Sequence, residues 1–468
     1  MEVFMFSIDL DNPVKVHFIG IGGVSMSALA ELLSYNGFPV SGSDAKKSAA
    51  TKHLEDKGIT VYIGNSASNI KGDEAVVVYT AAIHPDNPEL VAAKAKKIPL
   101  LTRAELLGQI MAGYSAAVSV AGTHGKTTTT SMLSIIELCA ALDPTILVGG
   151  DLPEIDGGLR IGRSENFVME ACEYTNSFHS FRPVHEIIMN IEEDHLDFFK
   201  DINDIRNSFH TFAKLVPDNG ILLINGAIDD VTSFCSDLTC KVKTFGLATD
   251  KGASSYDYSA ADITFDEFGH GSFAFLCKGT ALCNITLGVS GLHNVVDALA
   301  AAAMAHLLGI APAVISAALG RFGGAKRRFE KKGELGGILI FDDYSHHPSE
   351  IRAALTTAKS YGNHRVVCVF QPHTYSRTKA LLPEFADALT LADSVILAPI
   401  FPAREVDPGD ISSNDIAVLL EKKGKDVHSF DSFGEIEDYI LEKSCPGDLL
   451  ITMGAGDVVN IGDFLLGK

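Results

Sequence analysis

The sequence predicts an α/β protein of three domains built on largely parallel sheets. Three observations carry this: a length of 468 residues, apolar strand-like runs alternating with helical stretches, and two glycine turns that each follow a strand and open a helix. The first domain begins with a strand at 14–19, a glycine turn, a helix at about 25–36 and a second strand ending near Ser41. Further strands at 75–79 and 99–101 complete it, giving a domain of 1–113. A second alternation starts with the strand 116–120, passes a glycine loop into a helix, and continues through strands at 167–169, 186–190 and 221–224 to a helical region at 292–308. This predicts a domain of 114–326. A third alternation, with strands at 338–341, 366–370, 394–398 and 449–452, predicts a domain of 327–468.

Composition narrows the function classes. With 46% hydrophobic and 21% charged residues the chain has ample material for several cores. Acidic residues outnumber basic ones 59 to 38, and the net charge of -21 repels phosphate backbones and anionic membranes, so neither nucleic acid nor membrane is an expected partner. The opening segment carries Glu2, Asp9 and Asp11 where a secretory signal needs a basic and then an apolar stretch. The alanine-rich stretch 295–319 is interrupted by Asp297, His306 and Pro312, which favours a packed helix pair over a membrane span. Eight cysteines without a Cys-x-x-Cys pair suit free thiols in a reducing compartment. The expectation is a cytoplasmic enzyme, monomeric or homodimeric.

Two glycine turns point to phosphate binding. In Gly122-Thr123-His124-Gly125-Lys126-Thr127-Thr128 the glycines let backbone N–H groups and a positive helix end surround an anion. Lys126 then supplies a cation for the β and γ phosphates, and the Thr127 hydroxyl is placed for a magnesium ion. Val120 stands where the full Walker pattern requires glycine, so the loop is a shortened form. The earlier turn, Gly20-Ile21-Gly22-Gly23-Val24-Ser25 with Asp44 after the second strand, suits a dinucleotide or another diphosphate such as a nucleotide sugar, or is a bare structural turn. Ser25 replaces the third glycine of the dinucleotide pattern, which weakens the nicotinamide reading.

Carboxylates follow two strands of the second domain. Glu170 and Glu173 end one strand, with Glu170 the better metal ligand, and an acidic run with His195 ends the next. Histidine is an unusual ligand for magnesium, so the residues alone make Asp194 a helix cap and His195 a surface residue.

Taken in order, HFIGIGGVSMS at 17–27, SGSD at 41–44, AGTHGKTTTT at 121–130, EACEY at 170–174, the acidic run at 190–197, His293-Asn294, RRFE at 327–330, DDYSHHP at 342–348 and FQPHTYSRT at 370–378 resemble the Mur ligases of bacterial peptidoglycan synthesis. The resemblance covers essentially the whole chain and is strongest to members that act on UDP-N-acetylmuramate and L-alanine. It implies a Rossmann-like N-terminal domain for the UDP sugar, a P-loop ATPase-like central domain and a Rossmann-like C-terminal domain for the amino acid. The implied activity is ATP- and Mg2+-dependent ligation of L-alanine to the sugar's carboxylate through an acyl phosphate; a ligase for a ready-made tripeptide is the alternative, and an NAD-dependent dehydrogenase a more distant one.

By the same resemblance, Gly20, Gly22, Gly23 and Asp44 hold the UDP portion, with Thr80, Ala81 and Asn87-Pro88-Glu89 lining that domain. Lys126 and Thr127 address ATP and magnesium, Glu170 the first ion and His195 the second. His293 and Asn294 meet the adenine, Asp343 the ribose and Arg328 the phosphates. Tyr344, His346, His373 and Arg377 surround the alanine, with His346 a candidate proton acceptor. The catalytic set is Lys126, Glu170, His195, Arg328 and His346. Some relatives carry a carbamoylated lysine at a position falling here near Ser208 or His210, so no carbamate is expected.

Overall fold

The computed structural model describes residues 6–80, 82–196, 198–251, 256–362 and 364–468. Three sheets succeed one another along the chain. The N-terminal sheet contains β1 (Val16–Ile19), β2 (Val40–Asp44), β3 (Thr60–Ile63), β4 (Val76–Tyr79) and β5 (Leu100–Thr102), all parallel in the order β3-β2-β1-β4-β5. Its central strands are buried along nearly their whole length, as expected where helices cover both faces of a parallel sheet. The order reverses at β1, so the turn at 20–25 opens above a crevice flanked by the ends of β2 and β4.

The central sheet has ten strands: β6 (Ala116–Ala121), β7 (Thr145–Leu152), β8 (Gly157–Arg160), β9 (Asn166–Ala171), β10 (His185–Ile188), β11 (Ile221–Asn225), β12 (Lys241–Leu247), β13 (Tyr258–Phe265), β14 (His270–Cys277) and β15 (Thr280–Ser290). Their order is β15-β14-β13-β12-β11-β10-β6-β9-β7-β8. Strand β6 lies between β10 and β9, parallel to both, so the phosphate loop leaving it meets the residues that follow those two strands. The antiparallel extension β13–β15 was not expected from the sequence. Its strands mix exposed and buried positions, and the first half of β15 is exposed or only half-buried.

Two helices form the back wall of this sheet. The Leu292–Leu307 helix buries Ala298, Leu299, four successive alanines, Met304 and Ala305 completely. Apolar on almost every side, it is buried on almost every side, and its small side chains let it pack closely on the Lys126–Cys139 helix. In that partner four threonines, poor helix formers, follow Lys126; Thr130 and Ser131 satisfy their buried hydroxyls on the carbonyls of Lys126 and Thr127, each at 2.7 Å. The stretch weighed as a membrane span resolves into Leu292–Leu307 and Pro312–Leu319, broken at Gly309 with φ 89°. No helix among the described residues is long and apolar enough to cross a membrane.

The C-terminal sheet comprises β16 (Glu330–Leu335), β17 (Ile338–Asp343), β18 (Arg365–Phe370), β19 (Ser394–Leu397), β20 (Asp426–Ser429) and β21 (Asp448–Met453), in the order β16-β17-β21-β18-β19-β20. Only β16 runs antiparallel. At the other end of the molecule the Arg103–Met111 helix docks closely on the central region: a Cβ on Gly108 would stand 1.9 Å from the carbonyl oxygen of Ser180.

Candidate active site

The phosphate loop is held open by backbone geometry and by Asn190. Gly122 has φ 149° and Gly125 φ 81°, and a Cβ at either would meet Met189 or Asp297 at under 3.0 Å. Asn190 brackets the peptide of His124, accepting from its N–H at 2.8 Å and donating to its carbonyl at 3.1 Å. Lys126 folds inward, donating to the carbonyls of Gly122 at 2.5 Å and Thr123 at 3.1 Å and pairing with Glu173 at 3.0 Å. Burial lowers its proton affinity, but Glu173 outweighs this and holds its pKa above the ordinary lysine value.

The next residue carries the oxygen ligands. Thr127 Oγ1 donates to Glu170 Oε2 at 2.8 Å and accepts from Arg328 Nη2 at 3.2 Å. Gly149 makes room, since a Cβ there would lie 1.7 Å from Glu170 Oε1. Of the two carboxylates at the end of β9, Glu170 therefore joins Thr127, whereas Glu173 joins Lys126 and lies 3.9 Å from His195 Nε2. His195 stacks against Tyr174 with ring centroids 4.6 Å apart and holds φ 53°. Non-glycine residues at positive φ recur around this cleft at Thr175, Asn176, Arg327, Phe329, Thr374 and Ala403, the kind of backbone strain that collects at functional sites.

The C-terminal region closes over the loop. His124 Nδ1 lies 3.0 Å from Glu350 and its Nε2 3.4 Å from Glu192. Burial opposes protonation of His124, yet the two carboxylates push its pKa up to about 10, so it adds a cation to the loop at neutral pH. His347 Nε2 reaches the Glu193 carbonyl at 3.0 Å. Arg328 lies over Tyr344, 5.2 Å from the ring centroid, and points to Thr127. Its neighbour Arg327 turns instead to Asp342 and the carbonyls of Gly454 and Gly456.

Two cavities lie where the C-terminal and central regions face each other. One, of about 250 Å3, lies beside the loop and is lined by Gly125, Thr128, His293, Asn294, Arg328 and Asp343. Asn294 is anchored by donating to the Ser290 carbonyl at 2.7 Å, and burial lowers the pKa of His293. The Asp343 carboxylate accepts from the backbone N–H of Phe329 and Ser345 and from the Ser345 hydroxyl, so it shapes its loop as well as facing the cavity. The other, of about 450 Å3, is lined by Asp194, His195, Tyr344, His373, Arg377 and Glu405. His346 sits behind it, its ring 5.8 Å from that of His373; burial lowers the pKa of His346 and brings His373 down to about 4, so both imidazoles are neutral at pH 7.

The residues expected to hold the UDP portion lie at the N-terminal crevice. Gly20 has φ 80°, and Gly22 donates its N–H to Asp44 Oδ2 at 2.9 Å. Gly23 opens the Val24–Tyr35 helix, and Thr80 follows β4. Ala81 lies outside the described residues. Glu89 is wholly buried and takes hydrogen bonds from Ser43, Ser66 and Asn69 beside His17, so it props the sheet from within. Sequence reasoning overlooked Asn190, Glu350 and the pairing roles of Asp194 and Glu173. The signal for Glu350 was present: it closes a capping box with His347 at the start of the Pro348–Ser360 helix. Ser208, where a carbamoylated lysine was weighed, bonds instead to Asn176 and His179.

The donor set suits ATP and magnesium. A hydroxyl and a carboxylate oxygen side by side at a helix start are hard ligands for a hard cation, and the positive-φ glycines aim N–H groups at an anion. Fold and site thus define a multidomain α/β enzyme with a phosphate loop at its centre. Known families match in three consecutive stretches: "Mur ligase family, catalytic domain" at 15–115, "Mur ligase middle domain" at 120–305 and "Mur ligase, glutamate ligase domain" at 327–456. The chain belongs to the Mur ligase family. It is 53% identical to the UDP-N-acetylmuramate–L-alanine ligase of Lachnoclostridium phytofermentans, over 99% of this chain and 100% of that protein, and 54% identical to the protein of the same name from Agathobacter rectalis at the same coverage. Among solved structures it is similar to the UDP-N-acetylmuramate-alanine ligase of Thermotoga maritima, with TM-score 0.79, 29% identity and 97% and 98% of the two chains covered.

Proposed function

We propose that this enzyme joins L-alanine to the carboxylate of UDP-N-acetylmuramate, consuming ATP and releasing ADP and phosphate. The observation that carries the reading is Glu173, which pairs with Lys126 of the phosphate loop at 3.0 Å and lies 3.9 Å from His195, a residue lining the cavity of Tyr344, His373 and Arg377. Full-length identity of about half to proteins bearing that activity in their names supports it.

A carboxylate is a poor acceptor of an amine, so one of its oxygens first attacks the γ-phosphorus of ATP and ADP departs. Both reactants are anions, and charge cancellation dominates the barrier. Lys126, Arg328 and protonated His124 supply three cations around the loop. Magnesium, held by Thr127 and Glu170 with a second ion near His195, would add further neutralisation of the phosphates. The alanine amine then attacks the acyl carbon, and phosphate leaves as the C–N bond forms. Neutral His346 takes the proton the amine must lose, and Arg377 with His373 orients the amino acid. The reaction belongs in the cytoplasm, where ATP is supplied.

The cavity of about 450 Å3 admits more than alanine, so its volume does not choose between an amino acid and a peptide. The test is phosphate release from ATP with UDP-N-acetylmuramate and, in turn, L-alanine, glycine, L-serine and the L-Ala-D-Glu-diaminopimelate tripeptide. Release is expected with L-alanine foremost; release with the tripeptide alone would transfer the enzyme to the peptide-joining class, and no acceptor-dependent release would end the ligase reading.

A further inference from the structure

Where the phosphate loop meets the C-terminal region, two imidazoles and a carboxylate converge on one hydroxyl. His124 Nε2 lies 2.9 Å from Ser349 Oγ, and His347, at the start of the Pro348–Ser360 helix, has Nδ1 2.8 Å from the same oxygen. Glu192 Oε2 stands 3.4 Å from His124 Nε2, and its carboxylate accepts from the Ser349 hydroxyl. The two imidazole rings are 4.8 Å apart between centroids, tilted by 37°. Each ring is fixed from its far side. His124 Nδ1 meets the Glu350 carboxylate at 3.0 Å, and His347 Nε2 meets the Glu193 carbonyl at 3.0 Å. Both of those partners only accept, so these nitrogens carry N–H groups and the other nitrogen of each ring faces Ser349. An imidazole whose outer N–H is held by a carboxylate or a backbone carbonyl is the arrangement that orients histidine ligands around metal ions.

We propose that His124, Glu192 and His347 form a binding site for a divalent transition-metal ion of the zinc type, separate from Thr127 and Glu170, that fastens the phosphate loop to the C-terminal region. The three side chains offer ligand atoms within 4.8 Å of one another. Tetrahedral zinc with ligands at about 2.0–2.1 Å sets them about 3.3 Å apart, close to the 3.4 Å between His124 and Glu192. Turning the Ser349 hydroxyl aside lets His347 approach, and water takes the fourth position. Ligand type selects the ion: two imidazole nitrogens and one carboxylate oxygen suit zinc, whereas magnesium takes oxygen. A proton fills this role now. Glu192 and Glu350 keep His124 protonated, and burial keeps His347 neutral with a lone pair to offer. Once the His124 proton leaves, the two carboxylates remain to balance a divalent cation. His124, Glu192, Ser349 and Glu350 also line the cavity of about 250 Å3 beside the loop. On the reading of this loop as an ATP site, a bound ion takes part of that space and withdraws His124 from the phosphates, so it opposes ATP.

Titration of the full chain, without nucleotide and in excess magnesium, with zinc chloride by calorimetry and with cobalt chloride by visible absorption tests this. The unaltered chain is expected to bind zinc over magnesium, to give cobalt the intense visible band of four-coordinate geometry and to melt at a higher temperature with zinc present. Glu192→Gln and His347→Asn each remove a ligand, the asparagine keeping an acceptor for the helix start. Each is expected to lose more than about a hundredfold in zinc affinity, and with it the cobalt band. Glu350→Gln leaves the three ligands in place but loosens the His124 ring, so a smaller loss of about tenfold is expected. The Glu192 side chain is 44% exposed, so Glu192→Gln keeps the zinc-free melting temperature and its loss reads the site rather than the fold. No zinc binding by the unaltered chain overturns the proposal. Equal zinc affinity in Glu192→Gln, His347→Asn and the unaltered chain overturns it too, and places the ion on the exposed thiols or at Thr127 and Glu170.

Discussion

Arg377 and Asp194 form a buried ion pair, Nη2 to Oδ1 at 3.0 Å, that ties the Tyr375–Ala380 helix to the loop carrying His195. The guanidinium expected at the alanine carboxylate thus already has a carboxylate partner. Burial works against ionisation of Asp194, but Arg377 with His195 and His346 holds its carboxyl well below the usual range. Removing one partner strands the other in the cleft, at a cost of roughly 3–5 kcal/mol. Arg377→Gln is therefore expected to unfold at lower denaturant and to raise the KM for L-alanine. Adding Asp194→Asn should recover most of the stability and none of the KM, a separation that denaturation and steady-state kinetics on the four forms of the cycle will read.

Lys126→Ala is expected to abolish ADP formation while UDP-sugar binding persists. The ammonium is the loop's own cation, and the N-terminal crevice is built from other residues. Retained turnover would show that Arg328 and His124 suffice for charge neutralisation.

Gly149→Ala should act on Glu170 from behind. The new methyl would overlap Glu170 Oε1, which must swing away from Thr127. The expected result is a folded protein with phosphate release reduced on the order of a hundredfold and a raised magnesium requirement, measured by titrating the ion at saturating ATP. Unchanged magnesium dependence would detach Glu170 from the ion.

Asp297 offers a pH test. It is buried against Gly125, and burial raises its pKa to about 8 despite Arg328, Thr129 and His124. Between its ordinary value near 3.8 and about 8, the unfolded chain has lost this proton while the folded chain keeps it, so the residue lowers stability as pH rises through that window. Asp297→Asn removes the dependence. Its stability gain over the unaltered chain should grow between pH 6 and pH 8 and then level off, reaching a few kcal/mol at most by the scale of about 1.4 kcal/mol per pKa unit. A gain that is flat across this range would show Asp297 ionised throughout.

The parts of the fold legible in the sequence were those whose pattern is set by burial on both faces. Strands β1, β4 and β6 read as short apolar runs, and the glycine turns after β1 and β6 announce the crevices. Edge strands β3 and β20 were missed because half their residues face water, and β13–β15 because an antiparallel extension carries no turn signal as plain as a phosphate loop. Within the site, single residues were nameable from motifs, but their partners were not. His124 and Glu350 stand 226 positions apart and Arg377 and Asp194 183 apart, distances over which local spacing carries no information. The motif resemblance named Arg328 for the phosphates, but that its partner is Thr127 while Arg327 turns to Asp342 emerges only from the folded chain.

The alanine-packed helix behind the phosphate loop leaves its neighbours little freedom to drift. Each added methylene at positions 298–305 must push the Lys126–Cys139 helix and with it the loop. Inherited variation there is tolerated poorly, whatever the chemistry of the new side chain. Compounds that seat in the cavity beside this wall would meet a surface from which mutational escape is narrow, whereas the roomier cavity of about 450 Å3, bordered by loops such as that of Thr374 and Ala403, has more routes to change.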